Sequence, residues 1–141
     1  MGNYKVYPNK LKGKVKIPPS KSMAHRAVIC AALSNGLSKL TNIDYSDDII
    51  ATIDAMKSLG AIINKKDYYL EVIGIKSPDN KCKDIDSERI IDCNESGSTL
   101  RFLVPIAAIF DGANRFIGRG NLGKRPLDTL SLIHISEPTR R

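Results

Sequence analysis

The chain has 141 residues, 42% hydrophobic and 26% charged, which is about one globular domain and excludes the disordered, fibrous and collagen-like classes. Its formal net charge is +7, from 22 Lys and Arg against 15 Asp and Glu, a balance suited to anionic partners. No apolar run approaches the roughly 20 residues of a membrane span. Met1 to Lys16 lacks an apolar signal core, and three cysteines without CxxC spacing exclude a disulfide framework and weigh against zinc, so a cytoplasmic protein is expected.

In chain order, Lys14 to Ile17 is predicted as a strand closed by Pro18-Pro19. Ser22 to Leu33 reads as an Ala-rich helix stopped near Asn35-Gly36. Ser38 to Ile43 is a strand. Ser46-Asp47-Asp48 caps a helix that runs to about Leu59, with acids in its first turn. Ile49, Ile53 and Met56 form its apolar face, supported by Ile50, and Gly60 stops it. Ala61 to Asn64 and Tyr69 to Ile75 are two strands around a polar turn. Residues 76 to 88 read as a surface loop, and Ile90 to Cys93 as a short strand. Ser98 to Phe110 is a third helix, which Pro105 should kink by withholding an N–H from the carbonyl of Arg101. Arg115 to Gly118 is the last strand. The alternation of strands and helices predicts an α/β fold. His25 is expected on a helix surface without metal-ligand partners, and Cys30 and Cys93 in inert apolar surroundings.

Three segments carry anion-binding chemistry. In PPSKSMAHRA, residues 18 to 27, Ser20, Lys21 and Ser22 open a helix whose unpaired N–H groups and dipole favour a phosphate or carboxylate. Lys21 adds a point charge, and Arg26 a planar fork on the face it shares with Ser22. In NESGSTLRF, residues 94 to 102, Ser96, Gly97, Ser98 and Thr99 repeat the logic ahead of Arg101, with Gly97 permitting close backbone approach. In GRGNLGKRPL, residues 118 to 127, three glycines loosen a loop carrying Arg119, Lys124 and Arg125; it is not a Walker A loop. Each segment also fits a plainer reading, as a helix cap with solvated cations or a basic surface loop. Asp47 and Asp48 fit helix capping or a place near substrate. A nucleic-acid binder is disfavoured by 6% aromatics, no Trp and no run of five cations.

Together these segments resemble the EPSP synthase (3-phosphoshikimate 1-carboxyvinyltransferase) family. The family form P-x-S-K-S-x-x-x-R-A is matched by Pro18 to Ala27, L-T-N-x-x-x-S-D-D by Leu40 to Asp48, G-[ST]-x-x-R by Gly97 to Arg101, and its R-P loop by Arg125-Pro126. The resemblance runs from about Asn9 to Thr129. It implies the enolpyruvyl transferase fold, an inside-out α/β barrel of βαβαββ units, here truncated within the first domain. It implies transfer of the enolpyruvyl group of phosphoenolpyruvate to the 5-hydroxyl of shikimate 3-phosphate with release of phosphate, in the shikimate pathway. No metal or organic cofactor, nucleic acid or membrane is implied, and the parent enzyme is expected to be a monomer.

Carried over residue by residue, the resemblance implies that Lys21 contacts both substrates and that Ser22 and Arg26 hold the shikimate phosphate. Gly97 places its backbone near phosphoenolpyruvate, and Arg125 pairs with its anionic groups. Arg101 supports the glycine turn, and Asp48 lies close to the cleft. Glu95 stands where many members have Asn, and Asn121 where many have Arg. No general acid or base is expected within residues 1–129, the amino-terminal part of the transferase domain, so this stretch alone is expected to be inactive. Residues 130–141, including LSLIHISEPTR, resemble translated sequencing adapter and are expected to be a non-native tail. A stand-alone phosphate-binding module is the alternative reading, ahead of a basic nucleic-acid binder.

Overall fold

The computed structural model describes residues 4–5, 7–10, 12–15, 17–75 and 88–127. The expected loop at 76–88 lies almost wholly outside these residues, as do the expected boundary at 129/130 and the tail.

Helix α1 spans Lys21–Leu33 and helix α2 spans Asp47–Ser58. Between and after them run strands β1 (Leu37–Thr41), β2 (Ile62–Lys65) and β3 (Tyr69–Ile73). Strand β4 (Arg89–Asp92), helix α3 (Gly97–Ala107) and strand β5 (Asn114–Ile117) follow, and a single 3-10 turn covers Leu122–Lys124. The first sheet is antiparallel, in the order β1-β3-β2, with Leu40 opposite Leu70 and Ile63 opposite Val72. The second is a parallel pair, β4 and β5, joined by α3 as a βαβ unit.

Local chemistry sets the helix ends. Ser20 caps α1 by accepting from the Met23 N–H, and Ser96 caps α3 by accepting from the Thr99 N–H. Gly60 ends α2 with φ near +107°, a conformation that glycine adopts without a Cβ penalty. Pro105 falls in the last turn of α3, which continues to Ala107. There its ring withholds the N–H that the Arg101 carbonyl would otherwise accept.

One continuous core joins the elements. Ala24, Val28 and Ala32 of α1 meet Ile49, Ile53 and Met56 of α2; Ile63, Leu70 and Val72 close it from the sheet, and Ile91, Leu100 and Leu103 extend it under the βαβ unit. The small residues of α1 allow its backbone to approach its neighbours closely.

Four sequence expectations change. Lys14, Val15 and Ile17 belong to no strand, and Val15 and Ile17 are exposed; a short alternation becomes a strand only where an edge pairs with it. Ile50 is exposed, because it turns to the outer side of α2 away from Ile49 and Ile53. Cys30 is exposed on the outer face of α1, whereas Cys93 is buried and its thiol is pushed up to about 11, first by burial and then by Asp92. His25 is buried rather than on the surface, at 1% exposure; the Thr52 hydroxyl on α2 gives its ring a polar partner inside the core.

Candidate functional site

The N-termini of α1, α2 and α3 come together. Lys21, the first residue of α1, forms an ion pair with Asp48 in the first turn of α2. Both side chains keep solvent access, so the pair serves more to aim the ammonium than to hold the helices together. Ser46 stands at the N-cap of α2, but its side chain makes no capping bond and its Oγ is buried without a partner. Asp47 and Asp48 supply the favourable charge at that helix end instead.

Beneath the ion pair lies a buried polar chain. The Nδ1 of His25 and the Thr52 hydroxyl are hydrogen-bonded at 2.7 Å, as are the Thr52 and Thr99 hydroxyls at 2.7 Å. Thr99 Oγ1 donates to Ser96 Oγ at 2.7 Å. The Asp48 carbonyl lies farther off, 3.2 Å from the Thr52 hydroxyl and 3.4 Å from that of Thr99. His25 Nε2 is buried with no partner. Sequence reasoning missed Thr52 altogether and did not see these residues as a set. Their signal is helical spacing: Asp48 and Thr52 are one turn apart, as are Ser96 and Thr99.

Burial holds the His25 pKa below its ordinary 6.5, with Asp48 pulling it up and Lys21 pushing it down. The sign of the pH effect follows. Above pH 6.5 the ring is neutral in both states and stability is full. As pH falls through 6.5 the unfolded chain takes the proton first, so stability drops by at most about 1.4 kcal/mol per pH unit. The loss levels off below the lowered folded-state value. Melting temperature followed against pH is expected to show this decline in the wild type and to lack that part of it in His25→Asn.

The loop after β5 is fastened to the start of α3. Asp92 accepts from the Asn94 N–H at 2.8 Å and from Arg119 at 2.8 Å, which holds its carboxyl below the ordinary range, the Asn94 bond being the larger cause. The Arg119 N–H donates to the Asn94 carbonyl at 2.7 Å. The Glu95 carboxylate lies against Gly120, whose φ is near +56°. Leu122 is buried beside Gly118. Arg125 then returns to α3: a Cβ on Gly97 would sit 2.5 Å from Arg125 Nη1. A guanidinium therefore rests on the glycine that opens a helix, a cation beside unpaired N–H donors.

The expected site residues fall into two groups. Lys21 and Asp48 are paired, and Gly97 and Arg125 are in contact. Ser22 is exposed; Arg26 Nη1 donates to the Ser22 carbonyl at 3.3 Å and its guanidinium lies over the Phe102 ring, 5.6 Å from the centroid. Arg101 is exposed on α3, and its side chain forms no ion pair among the described residues. Among the described residues, no cluster of three or more His, Cys, Asp or Glu is placed to hold a metal, and no helix is long and apolar enough to cross a membrane.

Gly97→Ala tests the contact with Arg125. The far end of a flexible side chain can swing away, so the fold is expected to lose less than about 1 kcal/mol, within the range of mild overpacking. Affinity for a small anion such as inorganic phosphate is expected to fall about tenfold, as one charge-assisted hydrogen bond is misplaced. Chemical denaturation beside a ligand titration separates the two effects; unchanged affinity would remove Arg125 from the site.

Residues 6–132 match the sequence profile of EPSP synthase (3-phosphoshikimate 1-carboxyvinyltransferase). A 3-phosphoshikimate 1-carboxyvinyltransferase of Clostridium beijerinckii is 77% identical over 130 residues, covering 92% of this chain and 30% of that protein. The enzyme of the same name from Clostridioides difficile is 68% identical over 133 residues, covering 92% of this chain and 30% of that protein. Among solved structures, EPSP synthase from Acinetobacter baumannii superposes with a TM-score of 0.63 at 22% identity, over 84% of this chain and 26% of that one. The chain thus spans about 30% of the length of the curated relatives it matches.

Proposed function

Because this chain belongs to the EPSP synthase (3-phosphoshikimate 1-carboxyvinyltransferase) family, we propose that it supplies the anion-holding face of a cytoplasmic, cofactor-independent enzyme that joins phosphoenolpyruvate to shikimate 3-phosphate. The observation that carries this reading is the Arg125 guanidinium laid on Gly97 at the start of α3, near a helix junction that also presents Lys21. Phosphoenolpyruvate and shikimate 3-phosphate each carry a phosphate and a carboxylate, and such groups are held by cations and helix N-termini.

In the proposed reaction the 5-hydroxyl of shikimate 3-phosphate adds to C2 of phosphoenolpyruvate while C3 takes a proton. The tetrahedral adduct then loses inorganic phosphate and a methyl proton, leaving the enol ether. Lys21, aimed by Asp48, would neutralise charge shared between the two substrates. Gly97 and Arg125 would hold phosphoenolpyruvate, and Ser22 with Arg26 the shikimate phosphate. Arg101 enters only as an exposed cation near that face. No general acid or base is assigned to this chain, so the 141-residue chain alone is expected to release no phosphate, since positioning from one face leaves the reactants unoriented.

The test is a chimera in which this chain replaces the matching 130 residues of the Clostridium beijerinckii relative. It is expected to release phosphate from the two substrates at a rate comparable to that relative. A folded chimera without turnover, beside an active relative in the same assay, would refute the proposal.

A further inference from the structure

We propose that His25 is a positioning residue: through Thr52 and Thr99 it locks the start of α1, which presents Lys21, to the start of α3, which presents Gly97, so that the two helix ends act on one set of anions. The part concerning anions rests on the function proposed above; the mechanical link does not.

The geometry consists of two rungs between α1 and α2, followed by a third into α3. The outer rung is the Lys21–Asp48 ion pair. One turn deeper, His25 and Thr52 form the inner rung at 2.7 Å. Thr52 meets Thr99 at 2.7 Å, and Thr99 donates at 2.7 Å to Ser96, the N-cap of α3. Four side chains at 2% exposure or less thus form one path from the residue below Lys21 to the residue before Gly97.

Proton counting gives the path a direction. Each hydroxyl has one proton. Thr99 donates to Ser96, whose Oγ also accepts the Thr99 N–H. With each proton assigned to its shortest contact, Thr52 donates to Thr99 at 2.7 Å in preference to the Asp48 carbonyl at 3.2 Å, and Thr52 then accepts from Nδ1–H of His25. The ring is neutral, with its proton on Nδ1 and Nε2 bare, which agrees with the unpartnered state of Nε2. A cationic ring would bury an unpaired N–H donor there.

Packing alone does not account for this choice of residues. An imidazole and three hydroxyls are costly to desolvate, and aliphatic side chains of like volume would fill the space at least as favourably. What a satisfied hydroxyl chain adds is a single allowed arrangement of the helices that carry it. Here those helices carry Lys21 and Gly97.

The experiment uses the 141-residue chain labelled with 15N, with the variants His25→Asn and His25→Leu. Asn can offer an amide near the Nδ1 position and keep the Thr52 bond; Leu keeps bulk and breaks it. The Leu variant is expected to shift the amide signals of Gly97, Ser98 and Thr99, and Asn to restore them. Titrated with phosphoenolpyruvate, wild type and Asn are expected to give one common curve at Lys21 and Gly97. The Leu variant is expected to give two separate curves and about tenfold weaker binding, the scale of one lost buried hydrogen bond.

Unmoved signals at Gly97 to Thr99 in the Leu variant, or identical behaviour of Asn and Leu, would overturn the proposal. So would 15N shifts showing the proton on Nε2. Should the Leu variant fail to fold, Thr99→Val breaks the same path midway and is expected to shift the Lys21 amide; an unmoved Lys21 signal is then the overturning result. Absence of any phosphoenolpyruvate binding by wild type counts against the proposed function, while the amide shifts still decide the role of His25.

Discussion

Lys21→Met in the active chimera is expected to lower kcat/KM by about two to three orders of magnitude, the scale seen when one preorganised charge donor is removed from a site where charge develops. Two losses combine. The ammonium disappears from the start of α1, and Asp48 is left without its partner. An unpaired carboxylate would then face the anions of the proposed substrates, and like charges at this range oppose binding. The double variant Lys21→Met/Asp48→Asn separates the two: it is expected to recover much of the affinity for substrate but little of kcat. Steady-state kinetics on the three proteins reads this directly. A single variant within threefold of the parent would show that Lys21 is only a surface cation.

Gly74→Ala is expected to lower the stability of the chain by about 3 kcal/mol, the upper end of ordinary overpacking. Gly74 follows β3 and packs under the end of α1, where an added Cβ would collide with the Ser34 carbonyl and lie 3.1 Å from the Ala31 oxygen. These are backbone atoms. They cannot move without disturbing the bonds that hold the two segments together, Gly74 N–H to the Gly36 carbonyl at 3.1 Å and Ile75 N–H to the Ala32 carbonyl at 2.8 Å. The contrast with Gly97 is instructive, because there the obstructing atom ends a flexible arginine. The same substitution is thus expected to damage the fold at one glycine and the site at the other. Urea denaturation monitored by circular dichroism decides the first; a change below about 1 kcal/mol, the scale of unstrained Gly-to-Ala replacement, would contradict the packing argument.

Much of the fold was legible because its determinants are local. Ser46-Asp47-Asp48 and Gly60 bracket α2 within a residue or two, and Ser20 and Ser96 cap the helices that their motifs announced. What local sequence could not show is who lies opposite whom. His25 looks like a surface histidine between Ala24 and Arg26 until its Nδ1 is seen hydrogen-bonded to Thr52, 27 residues on. Cys30 and Ile50 are apolar by type but turn outward, since the burial of a helical side chain depends on which face finds a neighbour. Lys14 to Ile17 has the alternation of a strand, but pairing is a property of two segments. The two anion motifs were readable as helix openings, whereas the contact of Arg125 with Gly97 requires the β5 loop to fold back, and no spacing in the sequence encodes that return.

The order β1-β3-β2 also constrains how the chain assembles in time. Strands β2 and β3 are consecutive and close through a short polar turn, a local event of the microsecond class. Strand β1 can pair only with β3, so Leu37 must await Ile73 across the whole of α2. That longer closure carries the greater entropic penalty. The hairpin is therefore expected to form early and β1 to join it late. Helix α1, tethered just ahead of β1 and packed on α2 and β3, is expected to dock with that late closure, and with it Lys21.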